Sequence, residues 1–302
     1  MSASSTPSRP SSPSPLAPSA VVTRLRAVGC VFAEDEAELL VTTARTPAEL
    51  AAMVDRRAGG LPLEHVLGWA EFCELRIAVD PGVFVPRRRT EFLVRRAAAL
   101  ARPGAVVVDL CCGSGAVGAA LAAVLDGIEL YAADIDPAAV RCARRNIAAV
   151  GGRAYAGDLF EPLPATLRGR VGVLAANVPY VPTGAVGLLP PEARDHEPLV
   201  ALDGGADGLA VMRRVAAEAP RWLAPGGHLL VETSERQAPP AADAFARNGL
   251  VPRIAHSEDH DATVVIGTAP GGVRTAPGGG MGSEGDGHGG EGAHGGERPI
   301  RH

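Results

Sequence analysis

The chain has 302 residues, 46% of them apolar, with a formal net charge of −5 from 29 basic and 34 acidic side chains. That balance creates no overall attraction to a nucleic-acid backbone or an anionic membrane, and no apolar run approaches the roughly 18 residues that a membrane-crossing helix needs. The five cysteines, Cys30, Cys73, Cys111, Cys112 and Cys142, include no C-x-x-C pair, which fits a soluble protein of the reducing cytoplasm better than a disulfide scaffold.

Residues 1–19 are dominated by Ser and Pro and bury too little apolar surface to offset the entropy of ordering, so a disordered tail is expected. Over 20–70, Leu39, Leu40, Leu50 and Val54 recur at helical spacings, and Thr46-Pro47 supplies an N-cap followed by a first-turn proline; a small helical domain is expected. Residues 71–92 alternate like a β-hairpin that turns at Asp80-Pro81-Gly82, with Thr90 capping a helix from Glu91. The tail over 268–302 has the composition of a flexible linker. Its His288, His294 and His302 lack fixed geometry, and no metal site is expected.

Between these flanks strands alternate with helices, as in a mostly parallel sheet covered on both faces. AVVVDL, IELYAADI, RAYAGDLF, VGVLAANV and HLLVETS read as five strands, the last after the turn Ala224-Pro225-Gly226-Gly227. A Gly-containing loop, Cys111-Cys112-Gly113-Ser114-Gly115, follows the first strand, and Asp134 ends the second, where a carboxylate can accept both hydroxyls of a ribose. The run Gly113 to Gly118 satisfies G-x-G-x-x-G, so a dinucleotide is one candidate ligand. Asp109, just before the loop, favours S-adenosylmethionine instead, because that cofactor carries an ammonium and a sulfonium rather than phosphates. Asp158, after the third strand, sits where it can accept from an adenine amino group.

With these motifs in place the sequence resembles the class I methyltransferases that modify the glutamine nitrogen in the Gly-Gly-Gln motif of peptide-chain release factors. The resemblance runs from about Leu61 to Gln237, through VVDLCCGSGAVGAALA, AADIDPAAVRCARRN, GDLFEPL, NVPYVP and ALDGGADGL. It implies a Rossmann-like α/β catalytic domain over 93–267, with the hairpin segment lining the site. It also implies cofactor contact by Cys111, Cys112, Gly113, Ser114, Gly115, Asp134, Asp158 and Leu159, with Asp109 and Asn177 bordering the same ligand. The acceptor is expected at Asn177, Val178, Pro179 and Tyr180. A release factor is the implied partner, met by a monomer that holds no nucleic acid stably and touches no membrane.

Two positions depart from the usual pattern of that family. Cys111 replaces the first glycine of the loop, where positive φ is hard for a side chain to adopt, and Val178 replaces the first proline of Asn-Pro-Pro-Tyr. Val178 still precedes a proline and so stays extended. An amide nitrogen is a poor nucleophile, and orientation is the lever available: the Asn177 side-chain oxygen and the Val178 carbonyl can each accept one N–H of the acceptor amide, with Tyr180 walling the pocket. The alternative is an exocyclic amine of a nucleic-acid base, which the same motif also serves. That substrate requires a positive surface, and Arg87-Arg88-Arg89 is the one basic run, read as a solvated loop or a contact for RNA phosphate.

Overall fold

The computed structural model describes residues 17–271. Helices α1 (Pro18–Ala27), α2 (Ala33–Thr43), α3 (Pro47–Ala58) and α4 (Leu63–Leu67) come first and bury Val21, Leu25, Leu40, Met53, Val54 and Val66 against one another. Thr46 caps α3 as its sequence implies, its hydroxyl oxygen accepting the Glu49 N–H at 3.1 Å. Helix α1 starts at Pro18, inside the stretch expected to be a tail, since a first-turn proline forfeits no helical hydrogen bond. The tail expected from Thr268 also begins in ordered structure, since Thr268 ends a strand and Ala269 donates its N–H to the Gly227 carbonyl at 2.8 Å; the rest of both expected tails, 1–16 and 272–302, lies outside the described residues.

The hairpin pairs β1 (Trp69–Phe72) with β2 (Leu75–Ala78) and turns at Cys73-Glu74, not at Asp80-Pro81-Gly82. Both turn residues have positive φ, 48° and 63°, the pairing that matches strand twist in a two-residue hairpin loop. Asp80 to Val83 does form a turn, with Val83 N–H donating to Asp80 at 3.1 Å, but an irregular segment leads from it into α5 (Glu91–Leu100).

The catalytic sheet contains β3 (Val106–Leu110), β4 (Glu129–Asp134), β5 (Arg153–Ala156), β6 (Val171–Ala176), β7 (Leu223–Thr233), β8 (Val251–Ser257) and β9 (Ala262–Thr268). Their spatial order is β5-β4-β3-β6-β7-β9-β8, with the first five parallel and the last two antiparallel. Two expectations change here. Ala224 to Gly227 lies within β7 as an irregularity against β6, and the closing β8-β9 hairpin carries no strong turn dipeptide to announce it. Residues alternate between two cores: Val107 faces the layer of α5, α6 (Ala116–Val124) and α7 (Pro137–Ile147), while Val106, Val108 and Leu110 face the opposite layer. Two short helices, α8 (Pro191–His196) and α9 (Leu199–Leu202), precede α10 (Ala210–Trp222) and α11 (Ala238–Arg247), which cover that second face. The strand order reverses at β3, which opens a crevice at the carboxyl ends of β3 and its neighbours, the usual ligand position in such sheets.

Arg57 joins the helical layer to the rest. Its buried guanidinium binds Glu36 at 2.6 and 3.0 Å, Glu192 of α8 at 2.5 Å and the Leu61 carbonyl at 3.1 Å. Arg57→Met is expected to destabilise the protein by about 3 kcal/mol, because Glu36 would be left buried without its counter-charge; urea unfolding checks this.

Candidate active site

A cavity of about 520 Å³ opens at the carboxyl ends of β3, β4 and β6. It is lined by Asp109, Cys111, Cys112, Gly113, Ser114, Asp134, Asp158, Leu159, Asn177, Val178, Pro179 and Tyr180. Gly115 does not reach it: a Cβ there would lie 3.0 Å from Ala143 of α7, so this glycine serves helix packing.

Asp134 is held by two backbone donors, Gly113 N–H at 2.8 Å and Asp136 N–H at 2.9 Å, one on each oxygen. Each oxygen keeps a lone pair for a ligand hydroxyl. Burial raises the pKa of this carboxyl and the two N–H groups oppose the rise. Asp109 is 1% exposed, and burial pushes its carboxyl up to about 8, with the Gly118 N–H opposing and the charge of Asp134 adding. Its Oδ2 accepts that N–H at 2.9 Å, and a Cβ on Gly118 would lie 3.2 Å from the same oxygen. Gly118 stands in the first turn of α6, and its amide is already taken by the Asp109 side chain. Two buried acids beside the loop suit a cationic ligand bearing a ribose, and the literal G-x-G-x-x-G match is therefore a packing feature here. Asp158 also reaches the cavity, although its carboxylate is ion-paired with Arg214 of α10.

Asn177 follows directly on β6, and Val178 and Pro179 after it are buried. Val178 is 1% exposed and belongs to the second core. The segment has no regular structure of its own, and its backing explains how it stays in place. Val181 N–H donates to Leu202 at 3.1 Å and Gly204 N–H returns to Val181 at 2.8 Å. Gln237 Nε2 donates to the Tyr180 carbonyl at 2.9 Å and to Asp207 at 3.0 Å. Gly208 passes so close that a Cβ would fall 2.2 Å from the Tyr180 carbonyl oxygen, and its φ is 75°. The ALDGGADGL stretch is thus the support of the Asn-Val-Pro-Tyr segment.

Residues 74–180 match the family described as Methyltransferase small domain. A release factor glutamine methyltransferase of Geobacter sulfurreducens is 41% identical over 209 residues, which cover 68% of this chain and 72% of that protein. The chain belongs to the release factor glutamine methyltransferase family. A second such enzyme, from Mycolicibacterium smegmatis, is 40% identical over 220 residues, covering 71% of this chain and 78% of its own. A methyltransferase of Streptomyces pristinaespiralis named for 4-amino-L-phenylalanine and 4-methylamino-L-phenylalanine is 37% identical over 203 residues, 65% of this chain and 66% of that one.

Family membership makes three further residues of this glutamine methyltransferase relative intelligible. Thr90 does not cap α5: its backbone is already helical, at φ −68° and ψ −15°, and no cap hydrogen bond forms. Its buried hydroxyl instead meets Asn177 Nδ2 at 3.4 Å. Glu232 of β7 is 2% exposed and accepts from the Tyr180 hydroxyl at 3.2 Å; the sequence reading does not single it out, although an acid inside an apolar strand is the signal that could have found it. Asn146 donates to the Ser114 and Ala78 carbonyls at 2.8 and 2.9 Å, clamping the cofactor loop to the hairpin. The basic run is not a free surface. Arg87 binds both oxygens of buried Glu197 at 2.6 Å and lies 4.9 Å from the Phe84 ring centre, and Arg89 stands 3.8 Å from Glu232.

Cys111 has φ 55°, a region that disfavours side chains. Cys111→Gly is expected to stabilise the protein by about 0.5–1 kcal/mol, the strain relieved outweighing the added freedom of the unfolded chain; denaturant midpoints measure it. Asp109 titrates near 3.8 when unconstrained and near 8 in the fold, so the folded protein retains a proton that the unfolded chain has lost. Stability contributed by this group falls as pH rises from about 4 to about 8 and levels off above. Asp109→Asn is expected to gain stability relative to the parent across that interval, with no further gain at higher pH, in unfolding curves taken as a function of pH.

Proposed function

We propose that this chain transfers a methyl group from S-adenosylmethionine to the side-chain nitrogen of the glutamine in a release factor's Gly-Gly-Gln motif. The observation that carries the reading is that Asn177, Val178, Pro179 and Tyr180 line the same cavity as Asp109 and Asp134. When bound, the cofactor supplies a methyl carbon made electrophilic by a sulfonium. Asp134 would hold its ribose, Asp109 would face its cationic end, and the loop from Cys111 to Ser114 with Leu159 would enclose the rest.

The nitrogen of an amide shares its lone pair with the carbonyl, and a base able to deprotonate it at neutral pH is unavailable. The protein's contribution is alignment. Asn177 Oδ1 accepts one N–H of the glutamine amide and the Val178 carbonyl accepts the other, so the nitrogen is held with its face toward the methyl group. Because the Val178 side chain is turned into the core, replacing the customary proline leaves the presented carbonyl unchanged. Tyr180 is fixed through its hydroxyl on Glu232, which sets its ring as a wall for the planar amide.

The surroundings support a protein acceptor over a nucleic-acid base. Exposed Val200 lines the cavity, and exposed Leu188 and Leu199 are sequence neighbours of its lining residues Leu189 and Val200, apolar groups suited to a protein surface. Among the described residues Arg88 alone of the basic run has no acidic partner, leaving little charge for a phosphate backbone. No helix among the described residues is long and apolar enough to cross a membrane. Five free thiols agree with a cytoplasmic location, where we place the enzyme as a monomer.

Mass spectrometry of a release factor incubated with enzyme and labelled cofactor should show one added methyl on the Gly-Gly-Gln glutamine. Label on 4-amino-L-phenylalanine, or only on nucleic acid, would replace this reading. Asn177→Ala should bind S-adenosylmethionine with nearly unchanged affinity by calorimetry while methyl transfer falls by about a hundredfold or more, the signature of a lost positioning group.

A further inference from the structure

The two ends of an asparagine amide have nearly the same size, so its neighbours decide which end meets the substrate. If Nδ2 faced the glutamine amide, donor would meet donor and the alignment would be lost. The chemistry proposed above therefore requires something to hold Oδ1 outward, and the residues behind Asn177 are arranged to do so.

Asn177 Nδ2 lies 3.4 Å from Thr90 Oγ1, and Thr90 is 2% exposed. A threonine hydroxyl has one proton, and its direction determines whether the oxygen is left to accept. Burial raises the pKa of the Glu232 carboxyl, and the Thr90 hydroxyl, the charge of Arg89 and the Tyr180 hydroxyl oppose the rise by favouring the ionised form. Glu232 Oε1 takes the Tyr180 hydroxyl at 3.2 Å, with Arg89 Nε at 3.8 Å. Oε2 is buried with no partner within hydrogen-bonding geometry, and such an oxygen demands a donor.

We propose that Glu232 and Thr90 are positioning residues that set the orientation of the Asn177 amide: the Thr90 proton turns toward the unpartnered Glu232 Oε2, the Thr90 oxygen accepts Nδ2, and Oδ1 is left for the substrate. A carboxylate can only accept, so polarity is imposed from the Glu232 end and passes through two bonds to the reacting centre. The same carboxylate anchors Tyr180 through its other oxygen, and one buried acid thereby sets both polar side chains of the acceptor segment. The inference rests on the glutamine methyltransferase reading given above.

Thr90→Val preserves shape but ends the relay, Thr90→Ser keeps it, and Glu232→Gln offers Thr90 a donor in place of an acceptor. Thr90→Val and Glu232→Gln should lower kcat on release factor about ten- to a hundredfold, the loss expected for one or two misdirected hydrogen bonds in a buried site. KM and the calorimetric Kd for S-adenosylmethionine should stay within about threefold, and Thr90→Ser should retain kcat within about threefold. Unchanged kcat in either Thr90→Val or Glu232→Gln would overturn the proposal, as would a loss in Thr90→Ser equal to that in Thr90→Val. If Thr90→Val does not fold, the contrast between Thr90→Ser and Glu232→Gln decides. A readout independent of turnover comes from the Asn177 side-chain amide resonances, identified by their absence in Asn177→Asp. Slowed exchange in the parent that is lost in Glu232→Gln supports the relay, and rapid exchange in the parent refutes it. That measurement stands even if the parent methylates no release factor, an outcome that would refute the functional reading instead.

Discussion

Buried carboxyl groups are the constraint around which this protein is organised. A carboxylate taken out of water loses its hydration and must be compensated by donors or counter-charges. Asp109, Asp134, Glu197 and Glu232 all sit in that condition, each with its pKa raised first of all by burial. The fold supplies part of the compensation through backbone N–H groups at Gly113, Asp136, Gly118 and Val85, and part through Arg87 and Arg89. What is left uncompensated at Asp109 and Asp134 faces the cavity. A ligand carrying positive charge and hydroxyl donors would complete that compensation, and burial of the acids would then contribute to affinity.

The parallel sheet explains why the acids gather in one place. Strand ends at β3, β4 and β6 converge where the order reverses, and helices α5, α6 and α7 seal one side of the crevice. The opposite wall needs more help, because the Asn177 to Val181 segment has no ladder of its own. Its backbone is held from behind by Leu202, Gly204 and Gln237, and Gly208 can approach only because it has no side chain. Arg57 extends the same support outward by joining the N-terminal helices to α8. Stability and function meet in these contacts, since the groups that position the acceptor wall also hold distant parts of the chain together.

Much of this was legible beforehand. Apolar runs ending in Asp109 and Asp134 mark buried parallel strands, whose side chains need no alternation because both faces are covered. Thr46-Pro47 marks a helix start, and Asn177-Val-Pro-Tyr at a strand end marks the segment that the fold brings to the cavity. The errors are equally instructive. Asp80-Pro81-Gly82 is a good turn sequence and does turn, yet the hairpin closes at Cys73-Glu74 because pairing of Phe72 with Leu75 sets the register. Thr90 has the identity of a cap but helical backbone angles, and its hydroxyl goes to a residue 87 positions away.

The sequence by itself determined the alternation of strands and helices through the first five sheet strands and the identity of the acids at the strand ends, because those depend on residue identity and short-range periodicity. Only the tertiary structure decided which oxygen each donor meets. Gly115 and Gly118 look alike in the loop pattern, yet one packs on α7 and the other makes room for the Asp109 carboxylate. Arg87 reads as a surface charge until Glu197 is brought to it across 110 residues. Hydrogen bonds and ion pairs act over a few ångströms, and chain folding rather than local sequence sets which groups come within that distance.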